Sequence, residues 1–239
     1  YRPPTLFETY EDVRLTPTVA NPLFPTSNPI TGSRNLHPEK IVSYELGYQG
    51  WFYRHRIRVR ADLFFNRISN LISLESTSIM TTTVNSDKTE IYGGEAGVEF
   101  QAASWLTGFA NYSFQEIGSN ITGLGRRGAP QSKVNAGLRG EWDNGINGEV
   151  VLHYVGSATY PLAQSFEIFG VSPGTRVSDY TLLNFRAGYR FWEQDTAAGA
   201  RRSAEAAVSV FNALDDGHKE HPLGDLIERR VMAWLTLKL

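Results

Sequence analysis

Apolar and polar residues alternate with a period of two along most of this chain, most plainly in its last stretch. From Val231 every second residue is apolar (Val231, Ala233, Leu235, Leu237, Leu239), with Arg230, Met232, Trp234, Thr236 and Lys238 interleaved. Such alternation sends the two sets to opposite faces of a strand. The same pattern predicts eight earlier strands, near 40–50, 56–68, 90–100, 105–115, 133–142, 149–156, 181–191 and 205–212. The second is the clearest: Ile57, Val59, Ala61, Leu63 and Phe65 alternate with Arg58, Arg60, Asp62, Phe64 and Asn66. The expected fold class is all-β.

The connections organise these strands. Residues 1–38 hold seven of the eleven prolines. Proline donates no ladder hydrogen bond, so this entry reads as an extended loop and not sheet. Residues 39–239 are the strand-bearing part. Short links follow strands one, three and five, the last carrying the hairpin signal DNGIN. Long loops follow strands two, four, six and eight, and the exit of strand seven, WEQDTAAGARRSAE, reads as long for a hairpin and is the least regular link. Short turns on one side and long loops on the other are the layout of an outer-membrane barrel. Aromatic residues agree. Trp51, Trp105, Trp142 and Trp192 lie where strands meet the short-turn side, beside Phe52, Phe100 and Phe191. Aromatics at one height form an interfacial girdle. Ten residues at about 3.3 Å each, tilted about 45°, rise roughly 24 Å, which matches the apolar band of such a barrel.

The mixed face fits a membrane barrel as well. Glu45, Arg58, Arg60, Asp62, Glu95, Glu99, Arg139, Glu141, Arg186 and Arg190 all fall on it. In a packed core each would need a partner, whereas a watered or protein-filled lumen accepts them. Trp234 sits on that register as an exception. The reading is a transmembrane antiparallel β-barrel in outer-membrane lipid. An antiparallel barrel closes on an even strand number, so nine strands read as the C-terminal part of a larger one, with the entry 1–38 outside.

Composition adds exclusions. The net charge of -2 carries no nucleic-acid footprint, and the absence of cysteine removes thiolate metal sites and disulfides. No run approaches the roughly 18 apolar residues of a membrane helix, which says nothing against strands.

Several motifs resemble one family. RPPTLFE (2–8) followed by NLHPEKIVSYELGYQG (35–50) is similar to the signature R-P-T-x-x-E, N-x-x-L-x-P-E, Y-E-x-G of TonB-dependent outer-membrane receptors. LFFNRISNLI, IYGGEAGVEF, LTGFANYSF, FNALDD and the closing strand fall in the family's order. The resemblance implies a 22-stranded barrel filled by an N-terminal plug that this sequence does not contain. It implies uptake of a scarce small-molecule solute, such as a ferric siderophore or cobalamin. The TonB complex would act through the plug, and the barrel-assembly machine would read the closing strand. Leu239 stands where the family usually ends on an aromatic. Glu45, Arg58, Arg60, Asp62, Glu95, Glu99, Arg139 and Arg186 become candidates to face the plug, or to pair with one another.

The remaining candidates are on outer loops. Phe7, Tyr10 and Phe24 in the entry, with Tyr160 and Phe166 in the loop 157–178, are candidates to stack on a ligand or to anchor their loops. Arg126 and Arg127 are candidates to clamp an anion, or ordinary surface charges. His218 and His221, with Asp215, Asp216 and Glu220, form a cluster whose spacing is not that of a zinc-peptidase helix. It reads as a solvated loop, and no metal or cofactor is expected. His153 with Ser157 lacks a carboxylate to orient the histidine, so no enzyme is expected. A passive porin or a barrel enzyme stays as the alternative.

Overall fold

The computed structural model describes residues 1–13, 29–76, 81–85, 88–119, 129–160, 176–195 and 201–238. Nine long strands form one sheet: β1 (Lys40–Phe52), β2 (Ile57–Ser69), β3 (Thr89–Ala103), β4 (Leu106–Ser119), β5 (Ser132–Glu141), β6 (Ile146–Val155), β7 (Tyr180–Asp195), β8 (Arg201–Phe211) and β9 (Arg230–Lys238). Each pairs antiparallel with its neighbours in sequence, so the sheet is a simple meander. β1 and β9 do not pair with each other, and the sheet is open at both edges.

The register keeps the two sets of side chains apart across the whole sheet. One ladder runs Gln49, Arg60, Gly97, Asn111, Asn135, His153. A second on the same face runs Thr107, Arg139, Glu149, Arg186, Ser209, Met232. The opposite face carries Val59, Val98, Ala110, Ala136, Leu152 and Leu183. That apolar face covers no core. Leu63, Leu138, Phe185 and Leu235 are 61%, 44%, 42% and 61% exposed, and among the described residues the buried apolar side chains are only Ala158, Val177, Ala204 and Ala207. A soluble sheet would have hidden such a face against a second layer. On the polar face, residues from Trp51 on β1 to Glu149 on β6 line a single depression.

All nine predicted strands are present, and the structure corrects what lies between them. The seventh link is short. β7 runs to Asp195 and β8 starts at Arg201, with a register shift between Arg190 and Trp192 that absorbs the irregular sequence. All four odd-numbered links are therefore on the short side. The DNGIN turn forms as expected, with Gly145 at φ 85° and its N–H donating to the Trp142 carbonyl. Of the girdle residues, Trp51 is on the polar register, opposite Arg58. Trp105 and Trp142 stack with ring centroids 5.3 Å apart.

The entry is more structured than a loop. It contains a five-residue helix, α1 (Leu6–Tyr10), and two-residue strands at Asp12–Val13 and Ile30–Thr31. These join a hairpin, Ile72–Ser76 with Thr81–Asn85, in a second sheet of four strands on the long-loop side. A Cβ on Gly32 would lie 2.7–2.8 Å from backbone atoms of Glu8, Thr9 and Glu11, so only glycine lets the returning strand lie this close to α1.

Candidate functional site

The polar face of the sheet gathers every lumen candidate, and most of its charges are paired there. Arg58 reaches Glu99 at 3.2 Å, Arg60 reaches Asp62 at 3.6 Å, and Arg139 lies 4.0 Å from Glu141. Arg186 binds both Glu205 and the side-chain oxygen of Asn147, while Asn147 also donates to Glu205 at 3.3 Å. The Arg186 guanidinium lies 6.0 Å from the centre of the Trp234 ring. A cation over an aromatic face is a favourable contact, and it accounts for a tryptophan on the polar register. Glu45 and Glu95 lie on the same face; Glu95 is directly opposite Asp62 and Ser113.

At the long-loop end, Arg2 joins three segments. Its guanidinium holds Glu39 through two bonds of 2.7 and 2.9 Å and Glu8 through two of 3.0 and 3.2 Å. Paired parallel bonds of this kind are the strong form of an arginine–carboxylate contact. Glu39 also accepts the Ile72 N–H at 3.0 Å, which ties in the hairpin after β2. Glu8 closes a capping box with Thr5: it accepts the Thr5 N–H at 2.7 Å, and its own N–H donates to the Thr5 hydroxyl at 3.2 Å. The Arg2 bonds hold the Glu39 carboxyl below its ordinary value, against the opposing effect of burial. Burial pushes Glu8 upward, but the Arg2 and Thr5 bonds override it and its carboxyl also sits low. The same two carboxylates raise Arg2. Asn85 locks the neighbouring turn, accepting the His37 N–H at 2.7 Å and donating to the His37 and Asn70 carbonyls at 2.9 and 2.8 Å. On this mount α1 presents Leu6, Phe7 and Tyr10 outward, 80%, 65% and 59% exposed, with Arg34 stacked 5.1 Å from the Tyr10 ring centre.

The loop between β8 and β9 brings Tyr160, His218 and His221 together. His218 is only 6% exposed, which corrects the solvated reading of that residue. Its ring stacks on Tyr180 at 4.0 Å, and Nδ1 lies 2.9 Å from the Asp216 carbonyl oxygen. His221 meets Tyr160 edge-on at 4.7 Å, and the Tyr160 hydroxyl donates to the Glu220 carbonyl at 2.9 Å. Asp215 and Asp216 are occupied by backbone N–H groups of Arg229 and Thr181. Among the described residues no three His, Asp or Glu side chains converge as metal ligands. Phe24, Arg126, Arg127 and Phe166 lie outside the described residues.

Residues 1–213 match a family model described as TonB dependent receptor-like, beta-barrel. The chain belongs to the TonB-dependent receptor β-barrel family. Solved structures agree in fold. The siderophore receptor PirA from Pseudomonas aeruginosa is 16% identical with a TM-score of 0.64, over 99% of this chain and 37% of that one. The copper transporter OprC is 14% identical with a TM-score of 0.67, over 98% and 35%. A structure of the FpvAI–pyocin S2 complex matches at 15% identity and 0.63, over 84% and 27%. The chain thus spans roughly a third of the receptors it resembles, and the open edges of its sheet are those of a partial barrel.

The family signature now has a physical content that residue-by-residue reading missed. Arg2, Thr5 and Glu8 of RPPTLFE and Glu39 of NLHPE are the arginine clamp and its capping box. The motif residues themselves were the signal. Their spacing, 31 residues between the two glutamates, gave no hint that one arginine holds both.

Proposed function

We propose that this chain is the C-terminal part of the wall of an outer-membrane receptor that takes up a scarce solute by TonB-dependent transport. The solute class we favour is a ferric siderophore or a solute of similar size. The observation that carries the reading is a nine-stranded meander with an apolar face over no core and an opposite face of ion pairs. In this reading the apolar face meets lipid, and Trp105, Trp142 and Trp192 ride at the headgroups near the short turns. The ion-paired face surrounds a plug supplied by the N-terminal part of the receptor. TonB acts through that plug, and β9 presents the strand that the barrel-assembly machine reads. Phe7, Tyr10, Tyr160 and His221, with Arg126, Arg127, Phe166 and His218, are the outer-loop candidates for solute contact or for shaping those loops. A passive pore and a barrel enzyme are less well supported, because family and structural neighbours are receptors and transporters.

Uptake in cells carrying the whole receptor tests the proposal. Receptor recovered in the outer-membrane fraction and labelled ferric siderophore accumulating only when TonB is present are the expected results. Accumulation that continues without TonB would establish the passive pore instead. Labelled copper runs as a parallel arm, and TonB-dependent uptake of copper alone would replace the siderophore assignment.

A further inference from the structure

The free edge of β1 carries a clue to what covers it. Arg2 and Glu39 form a reciprocal backbone pair, Arg2 N–H to the Glu39 carbonyl at 3.0 Å and Glu39 N–H to the Arg2 carbonyl at 2.9 Å, in antiparallel sense. Glu39 is the residue immediately before β1, and the bridge lies on the side of β1 away from β2. Reciprocal pairs alternate with open ones along an antiparallel ladder, so Ile41, Ser43, Glu45, Gly47 and Gln49 also point their N–H and C=O groups to that side. In lipid those groups require a partner strand. The Arg2–Glu39 bridge is the first rung of such a ladder, and its side chains agree, since the Arg2 guanidinium meets the Glu39 carboxylate on one face.

We propose that the segment immediately preceding Tyr1 in the longer receptor is a strand running antiparallel along β1, in the register set by Arg2 and Glu39. Tyr1 then faces Lys40, and the residue n places before Tyr1 faces the residue n places after Lys40. The second, fourth, sixth and eighth residues before Tyr1 lie beside Val42, Tyr44, Leu46 and Tyr48 on the apolar face. The first, third, fifth and seventh lie on the polar face. The inference rests on the reading of the chain as part of a longer barrel and adds a register to it.

Cysteine pairs in the intact receptor test it. The sixth residue before Tyr1 and Leu46 form an open pair, whose Cα separation of roughly 4.5 Å suits a disulfide. Leu46→Cys combined with cysteine six places before Tyr1 is expected to cross-link on mild oxidation in outer membranes. The same Leu46→Cys with cysteine four or eight places before Tyr1 is expected to remain largely reduced. Glu45→Cys with Phe64→Cys, opposite each other on β1 and β2, is the folding control. Cross-linking at a shifted position, or none while the control links, overturns the register and leaves the barrel intact. Loss of the control link overturns the barrel reading, and this proposal with it.

Discussion

Arg2 makes four side-chain hydrogen bonds to two carboxylates from segments 31 residues apart. Its side chain is 44% exposed, whereas Glu39 is 13% exposed. Solvent screening therefore weakens the arginine's own contribution, while removing it strands a largely covered carboxylate. Arg2→Ala is expected to cost about 1 kcal/mol, read as faster proteolysis within residues 1–38 of the membrane-embedded receptor. The same clamp depends on pH. Glu8 and Glu39 both titrate below the ordinary value of 4.5 in the folded chain. Their contribution is thus complete above that value and is lost as pH falls through the lower folded values. Proteolysis of the entry is expected to accelerate on acidification below 4.5, and in Arg2→Ala that step should shrink. Phe7 bears on function at the same scale. If it stacks on the solute, Phe7→Ala lowers solute affinity by about tenfold in a binding titration, the magnitude of one aromatic contact. Unchanged affinity would return Phe7 to a purely structural role.

At the scale of elements, the long strands were legible because a strand's facing is a local property of period two. What alternation missed are short pieces whose stability is not local. α1 has five residues and holds through its capping box and Arg2; Asp12–Val13 and Ile30–Thr31 exist because the hairpin 72–85 offers them an edge. Proline counting pointed to a loop, but the described part of that segment is tied down by partners far away in sequence. The β7–β8 link misled for a different reason. Its register shift moves the alternation out of phase between Arg190 and Trp192, so periodicity stops the strand early. Turn chemistry was the most readable element signal. Gly145 has φ 85°, and a Cβ there would lie 2.3 Å from the Arg190 carbonyl oxygen. Gly145→Ala is expected to destabilise the refolded receptor by about 1–3 kcal/mol, seen as a lower urea midpoint.

The whole molecule turns on which face meets what. Tyr112 and Ser113 are adjacent on β4 and point to opposite faces, Tyr112 between Ala96 and Val134, Ser113 between Glu95 and Lys133. Tyr112→Arg is expected to cost about 2–4 kcal/mol, the penalty of a cation deep in the lipid-facing wall. Ser113→Arg, which stays on the polar face with Glu95 on one side to offset Lys133 on the other, is expected to cost much less; equal penalties in urea unfolding from lipid vesicles would contradict the facing. Closure follows from strand parity. β1 and β9 run in the same direction because eight antiparallel steps separate them, so they cannot meet as an antiparallel pair. Residues 1–239 expressed alone are expected to give no heat-modifiable barrel band on electrophoresis, and co-expression with the upstream part should restore it.

Alternation and turn residues by themselves determined the number of long strands, the side chains that share each face and the short turns after β1, β3 and β5. These depend on neighbours one to four residues apart, and any stretch of chain displays them. Only the tertiary structure decided that Arg2, Glu8, Glu39 and the Ile72 N–H form one clamp, that Arg186 covers Trp234, and that His218 is enclosed against Tyr180. Each joins residues from separate strands or loops, and the distance between such partners is set by the register of the intervening sheet, to which no single segment refers.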